Sequence, residues 1–240
     1  STLTGSASDL ITAYASGGIS NLGDEAVSVS SGTASTSQAN TLAAATSGVV
    51  TATLSDGDLS TLAGLTETGN AYTITITDTS VDAAALNTLD GKTTVAVNAS
   101  NITTLTGAAA DLNTAYAANG SSLTGLGNEA ATLSDTTLAA SVLNTLDGNT
   151  SGTVNASNIT TLTGEAADLN TAYDSSGISN LGNEAVTLSD TTLAVSVLNT
   201  LDGNTSGTVN ANTVATLSGA AADLNTAYDS SGISNLGNEA

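Results

Sequence analysis

Seven residue types are missing from the 240-residue sequence: proline, cysteine, methionine, tryptophan, phenylalanine, histidine and arginine. The absence of cysteine excludes disulfides and thiolate metal sites, and without histidine the common nucleophile–base pairs of hydrolases are excluded too. Lys92 is the one basic residue, so phosphoryl-transfer clamps and phosphate-binding surfaces for nucleic acid are excluded as well. We therefore expect neither an enzyme nor a nucleic-acid partner.

Long apolar runs are also missing, because no segment approaches the ~18–20 apolar residues that a transmembrane helix needs. We expect no membrane insertion. The 22 acidic residues give a net charge of −21, which favours solubility and attracts cations such as Ca²⁺. Disorder is the first interpretation of so biased a composition, but 40% of the residues are hydrophobic and only 10% are charged, a balance that fits a folded chain.

What the sequence does contain is an internal repeat. Residues 131–185 and 186–240 are nearly identical over 55 positions. Residues 73–130 form an earlier copy with a two-residue insertion, residues 27–72 form a diverged copy, and residues 1–26 are the tail of another. We predict that residues 1–240 form a single tandem-repeat domain.

The first half of each repeat combines two periodicities. Val186 and Leu188 alternate at period two, which is typical of a strand with one buried face. Leu193, Val197 and Leu201 follow at a spacing of four residues, which predicts a short helix. Asp190 and the threonines after it are candidate N-caps of this helix, and Gly203 is a candidate terminator.

The second half of each repeat predicts a second helix. Ala166, Leu169 and Tyr173 lie three and four residues apart, with Glu165 and Asp168 near the positive N-terminus of the helix. Tyrosine recurs once per repeat at this position, and its spacing to leucine indicates a core residue with its hydroxyl at the edge. Helices of two to three turns do not persist alone in water, so both must pack on their neighbours.

These patterns predict a repeat solenoid of the α/β class, with short parallel strands and short helices in each coil. A coil of roughly 22–33 residues cannot bury its own apolar face, whereas stacked coils bury valine, leucine, isoleucine and tyrosine in continuous ladders. An all-β solenoid, in which the helical stretches are only bent corners, is the alternative, because threonine, asparagine and glycine also fit such corners.

Three recurrent strings carry a family resemblance: LTG-x-AADLNTAY, GISNLGNEAVTLSD and LNTLDGNTSGTVNAS. They resemble the repeats of very large, acidic, cysteine-poor secreted or cell-surface proteins of marine picocyanobacteria. AADLN and LNTLDG are also similar to the AAELN-x-LDG repeats of marine phage tail-fibre proteins. The resemblance covers nearly the whole chain and implies an extracellular, cell-surface or virion-surface fibre, without any catalytic residue.

Repeated acids are the candidate site residues. Asp135 and Asp190 close a predicted strand, and Asp147 and Asp202 precede a predicted turn glycine. They are either solvated caps and turn residues, or Ca²⁺ ligands together with nearby asparagine, serine and carbonyl oxygens. Further repeated acids are Asp168, Asp223, Glu184 and Glu239.

We expect a structural protein: a segment of a surface fibre, sheath or giant adhesin that serves as a rigid spacer or lattice element and self-associates end to end. The alternative is a binding module whose repeated face recognises polysaccharide, ice or a host receptor. The strand Tyr72–Thr77, in which threonines alternate with apolar residues, motivates that alternative. A carboxylate-pair enzyme would need a unique pair of acids, whereas these acids are duplicated.

Overall fold

A computed structural model of the protein describes residues 1–237. The contacts group into two compact units, the first formed by Ser1–Leu105 with Thr114–Gly127 and the second by Thr106–Asn113 with Asn128–Ala240. Within each unit, short strands alternate with short helices along the chain.

The helices of the described residues are α1 (Ala7–Ala15), α2 (Thr36–Ala45), α3 (Leu59–Leu62), α4 (Ala83–Asp90), α5 (Ala109–Ala118), α6 (Ala140–Asn149), α7 (Ala166–Asp174), α8 (Val195–Asn204) and α9 (Ala221–Asp229). The strands are β1 (Thr2–Ser6), β2 (Ala26–Ser31), β3 (Val50–Thr53), β4 (Ala71–Thr73), β5 (Ser80–Asp82), β6 (Val97–Asn98), β7 (Thr104–Gly107), β8 (Leu123–Thr124), β9 (Ala130–Leu133), β10 (Thr137–Ala139), β11 (Val154–Asn155), β12 (Thr161–Gly164), β13 (Ile178–Ser179), β14 (Ala185–Leu188), β15 (Thr192–Ala194), β16 (Val209–Asn210), β17 (Thr216–Ser218) and β18 (Ile233–Ser234).

The first compact unit contains a parallel sheet in the order β1-β2-β3-β4 and a parallel pair, β6 with β8. Thr2 pairs with Ala26 and Val27 pairs with Val50, so the offsets along the chain are 24 and 23 residues. Thr51 pairs with Ala71, an offset of only 20 residues. The shorter offset has a local cause, because the connecting helix α3 has only four residues.

The second compact unit contains the parallel sheet β10-β12-β14-β16-β18, the parallel strands β9, β11 and β13, and the parallel pair β15–β17. These pairings join residues 23 or 24 positions apart, as in Thr137 with Thr161 and Val186 with Val209. Two successive offsets together cover fewer residues than one 55-residue sequence repeat, so the strand pairing does not follow the sequence repeat. As a result β10 and its copy β15 lie in different sheets, and one sheet spans two repeats.

The predicted α/β class, with short parallel strands and helices, is confirmed. The helices exclude the all-β alternative over the described residues. Val186 and Leu188 are buried in β14, as the alternation predicted. Ala166, Leu169 and Ala172 are the buried residues of α7, and Tyr173 lies beside them half-buried.

The ends and the buried face of α8 differ from the prediction. Leu193 belongs to β15 rather than to the helix, and the buried residues of α8 are Val195, Leu198 and Leu201. Val197 is half-buried, because the true inward spacing is three residues rather than four. Gly203 lies inside the helix, which runs to Asn204 and ends at Thr205. The N-cap residue of α8 is Ala194, which makes no side-chain cap bond.

Asp190 does cap a helix, but a different one from the helix predicted. Its carboxylate accepts a hydrogen bond from the backbone of α7, the helix before it in the chain. Local sequence reasoning missed this because an N-cap is normally sought directly before its own helix.

The helices of the second compact unit come in two kinds. The DLNTAY helices, α7 and α9, have the same sequence, and the LNTLDG helices are α6 and α8. Contacts join α6 with α7, α7 with α8, and α8 with α9, so the two kinds alternate. No helix of residues 1–237 combines the length and the apolar character that crossing a membrane requires.

Burial separates two helices of identical sequence. Leu169 of α7 is fully buried, whereas the equivalent Leu224 of α9 is half-buried. We expect Leu169→Ala to lower the free energy of unfolding by about 3 kcal/mol and Leu224→Ala by clearly less, since the cost of truncation follows the contacts and the cavity left behind. Urea unfolding followed by circular dichroism measures both. Equal losses would contradict the difference in packing.

Candidate functional site

Two of the four predicted metal ligands cap helices. Asp135 Oδ2 accepts from the backbone N–H of Ala109 at 2.8 Å, and Asp190 Oδ2 accepts from that of Ala166, also at 2.8 Å. Each donor is the first residue of a DLNTAY helix, where backbone N–H groups lack partners within the helix and favour a negative charge. Asp56 and Asp78 do the same for Thr36 and Leu59 in the first compact unit, both at 2.6 Å.

The other two predicted ligands lie on LNTLDG helices and accept from serine hydroxyls. Asp147 Oδ2 accepts from Ser175 Oγ at 2.6 Å, and Asp202 Oδ2 accepts from Ser230 Oγ at 2.7 Å. In both cases the donor lies 28 residues further along the chain, after the next helix. These aspartates therefore connect one strand–helix segment to the following one.

The hydrogen bonds favour the interpretation of the four aspartates as caps and connectors. Over residues 1–237, no three acidic side chains come close enough together to hold a metal ion. Calcium binding at Asp135, Asp190, Asp147 and Asp202 remains the alternative. If the four aspartates are caps and connectors, the thermal midpoint Tm is the same in millimolar Ca²⁺ and in EDTA. A melt monitored by circular dichroism tests this. A clear fall of Tm in EDTA would instead assign these carboxylates as ligands.

The most unusual groups of the chain are three buried glutamates. Glu25, Glu129 and Glu184 are 4%, 0% and 1% exposed, although ionised glutamate is almost never fully buried without partners. Each follows a glycine and a polar residue, in Gly-Asp-Glu-Ala once and in Gly-Asn-Glu-Ala twice. Glu239 occupies the same motif but lies outside the described residues.

The carboxylate of Glu184 is held by groups that precede it in the chain. Its Oε2 accepts from the backbone N–H groups of Gly182 at 2.8 Å and Asn183 at 3.1 Å, and from the Tyr173 hydroxyl at 3.2 Å. Its Oε1 is buried and has no hydrogen-bond partner among the described residues. Glu184 thus joins the end of α7 to the turn that follows it.

A second motif, Thr205-Ser206-Gly207, contacts the backbone around the same glutamate. Thr205 Oγ1 donates to the Glu184 carbonyl at 2.8 Å, and the backbone N–H of Ser206 donates to the Gly182 carbonyl at 2.8 Å. Gly207 packs directly against the Glu184 carbonyl, so close that a Cβ at this position would overlap it. Glycine is therefore required here by space rather than by an unusual φ.

The arrangement recurs in the other copies. Thr46 Oγ1 donates to the Glu25 carbonyl at 2.6 Å, and Thr150 Oγ1 donates to the Glu129 carbonyl at 2.7 Å. The threonine lies 21 residues after its glutamate in all three copies. This constant spacing is the sequence signal that could have identified the cluster.

In the diverged repeat Tyr72 takes the place of the glutamate, and the polar groups around it are neutral. Asn70 is buried and its Oδ1 accepts from the backbone N–H of Val50 at 2.8 Å. Thr93 stands in place of the Thr-Ser-Gly threonine, donating to the Tyr72 carbonyl at 2.7 Å. The fully buried Tyr72 has its pKa raised to about 12, chiefly by burial. Asn70 is therefore a buried polar residue that bonds to another strand although it carries no charge.

The bonds to Glu25 stabilise its ionised form. The N–H of Gly23, at 2.8 Å, is the largest cause that holds the pKa of Glu25 below its ordinary value of 4.5, and the Tyr14 hydroxyl adds to it. A depressed folded-state pKa gives stability that is present above the unfolded-state pKa and is lost as the pH falls through the folded-state value.

The free energy of unfolding of the parent should fall as the pH is lowered from about 6 to about 3. We expect this fall to be smaller in Glu25→Gln. Urea midpoints measured across this range, for the parent and the variant, test the effect. If the urea midpoints of parent and variant fall equally with pH, Glu25 does not contribute to the pH dependence.

Polar side chains also line the outward faces of the strands. Thr163, Thr187, Asn210 and Ser234 are register partners in successive strands of one sheet. Elsewhere, Ser157 and the turn Asn180–Asn183 line an open cleft of about 450 Å³. A cleft of similar volume is lined by the equivalent turn in the first compact unit, Asn21–Asp24.

The chain matches no known family model, no curated protein and no solved structure.

Proposed function

We propose that the protein is a structural repeat protein, a solenoid segment that serves as a rigid spacer or lattice element of an extracellular or virion-surface fibre, and not an enzyme. The observation that carries the proposal is the use of its acidic groups. Asp190 and Asp147 bond to a backbone N–H and a serine hydroxyl of neighbouring strand–helix segments. The carboxylate of Glu184 holds its own turn, and Thr205 of the following segment donates to its backbone carbonyl. Groups committed to such bonds support mechanical continuity rather than catalysis.

The strand pairing supports the solenoid. An offset of 23 or 24 residues in the pairings of the second compact unit means that each segment offers the next one the same ladder of carbonyl and N–H groups. Apolar residues stack in register along that ladder, as in Leu162 with Val186. In such an architecture each segment provides the template for the next, and length follows from the number of repeats.

Localisation and the fibre assignment rest on the resemblance of the LTG-x-AADLNTAY and LNTLDG strings to repeats of marine surface and tail-fibre proteins. The net charge of −21 is consistent with it, because a uniformly acidic surface keeps long particles soluble in salty water.

A length series tests the proposal. Chains carrying zero, one or two additional copies of residues 186–240 are compared by small-angle X-ray scattering. Two further strand spacings of ~4.8 Å per copy predict equal increments of about 10 Å in the maximum dimension. Increments that shrink with each copy, as in a growing globule, would contradict the solenoid.

The second candidate function is a binding module that recognises polysaccharide, ice or a host receptor. The observation in its favour is the recurrence of the polar cleft at Asn180–Asn183 and at Asn21–Asp24. Retention on immobilised polysaccharide that is lost in Asn183→Ala, but kept in the exposed control Asn212→Ala, would favour this function over an inert spacer.

A further inference from the structure

The turn that lines the cleft of the second compact unit is held in a costly conformation. Asn180 has a φ of 65° and Gly182 a φ of 122°, both in the left-handed region. Glu184, which is 1% exposed, fixes the turn by accepting from the backbone N–H groups of Gly182 and Asn183. A buried carboxylate and a left-handed asparagine each cost stability, and such features cluster at binding sites.

The same turn is tied to the strand–helix segment before it. Asn155 of β11 is the register partner of Ser179 in β13. The Oδ1 atom of Asn155 accepts from Asn180 Nδ2 at 2.8 Å and from the backbone N–H of Ser157 at 3.1 Å. One carboxamide therefore fixes two successive turns relative to each other. The cleft between Ser157 and Asn180–Asn183 is thus formed before any ligand binds, which lowers the entropy cost of binding.

Polar groups of this cleft are free to bind a ligand. Within residues 1–237, no hydrogen bond reaches the Ser157 hydroxyl, the Asn183 carboxamide or the Oδ1 atom of Asn180. All three residues are exposed, and the half-buried Leu181 adds an apolar patch between them. The cleft therefore offers hydrogen-bond donors, acceptors and a small apolar surface, while its backbone is held rigidly.

The charges and the size of the cleft decide the class of ligand. The sequence has no basic residue after Lys92, so an anionic ligand would find no countercharge here. Calcium takes six to eight oxygens, usually with carboxylates among them, and none of the lining residues is acidic. A protein partner needs about 800 Å² per side with aromatic or arginine anchors, which these five residues do not provide. An uncharged ligand rich in hydroxyl groups fits best.

We propose that this cleft binds the hexose units of an uncharged polysaccharide. Ser157, Asn180 and Asn183 exchange hydrogen bonds with sugar hydroxyls, and Leu181 contacts the C–H face of a sugar ring. The inference rests on the second candidate under the proposed function, the binding module, and adds the charge class of the ligand and the residues that hold it.

The first compact unit contains the same kind of turn. Asn21 and Gly23 have φ values of 62° and 136°, and the Gly23 N–H donates to the buried Glu25 at 2.8 Å. Asp24 stands where the second unit has Asn183, so this copy carries a negative charge at its cleft. Several clefts on one chain strengthen binding to a long polymer, because the second contact is made within one complex.

Affinity electrophoresis tests the ligand class, because the net charge of −21 drives the protein through a native gel. Parallel gels contain galactomannan, starch or mixed-linkage β-glucan, which are uncharged, or alginate, which is polyanionic, or no polysaccharide. We expect retardation in at least one of the three uncharged gels and none in alginate. Unretarded migration in all three uncharged gels, or retardation in alginate alone, would overturn the proposal.

A double variant tests the site. We expect Ser157→Ala with Asn183→Ala to raise the apparent Kd for the retarding polysaccharide by about threefold, since two hydrogen-bonding groups are lost while the cleft of the first unit stays intact. Ser176→Ala with Ser189→Ala is the matched control, because it removes two exposed side chains that do not line the cleft. Both variants should keep the Tm of the parent, measured by circular dichroism. Equal retardation of the cleft variant and the control would reject this site.

Failure of this inference can be told apart from failure of the proposed function. Equal length increments in the scattering series, together with unretarded migration in every gel, would leave the structural solenoid intact and reject only the polysaccharide cleft. Retardation of the parent that persists unchanged in the cleft variant would keep the binding module and reject Ser157 and Asn183 as its contacts.

Discussion

Replacing Gly207 with alanine is expected to lower the free energy of unfolding by about 3 kcal/mol, the upper part of the usual range for overpacking. A Cβ at Gly207 would overlap the carbonyl of Glu184 and crowd the backbone nitrogen of Ala185. The colliding atoms are backbone atoms at the start of β14, which pairs with β12 and β16, so they cannot move aside without breaking ladder bonds.

Gly203→Ala is the matched control for this variant. Gly203 lies four residues earlier, inside α8, and an added Cβ would meet no atom within 4 Å. Alanine in an open helical position is neutral or stabilising by up to about 1 kcal/mol. Urea unfolding curves for the two variants should therefore move in opposite directions or differ strongly. If Gly207→Ala unfolds like Gly203→Ala, the close contact between Gly207 and Glu184 is absent in solution.

Replacing Glu184 with glutamine is expected to lower the free energy of unfolding by about 2 kcal/mol, a typical value for hydrogen bonds to an ionised group. The amide retains one acceptor oxygen for Gly182, Asn183 and Tyr173, but loses the charge. It also places an NH₂ group where Oε1 has no described partner. Glu184→Ala should cost more, because it leaves two backbone N–H groups without an acceptor.

Glu165→Gln serves as the control, since Glu165 is exposed and makes no side-chain cap bond at the start of α7. Its effect should stay within about 0.5 kcal/mol. Tyr173→Phe provides a third measurement, expected to cost about 1 kcal/mol through the loss of the hydroxyl bond to Glu184. Stability unchanged in both Glu184 variants would mean that this carboxylate is hydrated rather than internally bonded.

The periodicities in the sequence predicted the elements well but not their ends. Val186 and Leu188 identified β14, and the spacing of Ala166 and Leu169 identified the buried face of α7. Leu193 and Val197 were misleading, because a three-residue strand leads directly into α8 and the two periodicities meet without a turn between them. A window that spans such a junction finds a spacing that neither element has.

The site was less predictable, because its bonds join residues far apart in sequence. Asp190 looks like the cap of the helix that follows it and instead caps α7, whose first residue lies 24 positions earlier. The burial of Glu184 could not be read from composition, since a glutamate after Gly-Asn is ordinarily a solvated turn residue. Only the constant spacing of 21 residues between Glu184 and Thr205, repeated in the other copies, carried the information.

Each strand–helix segment around β12 and β14 pairs with the next at an offset of 24 residues, although the sequence repeats every 55. The absence of cysteine allows a direct test of this offset by disulfide formation. Thr163 and Thr187 are register partners on the outward face of β12 and β14, so Thr163→Cys with Thr187→Cys should form a disulfide on mild oxidation. The pair Thr163→Cys with Ser189→Cys, displaced by two residues, should remain largely reduced. Cross-linking of the displaced pair in preference to the register pair would contradict the account.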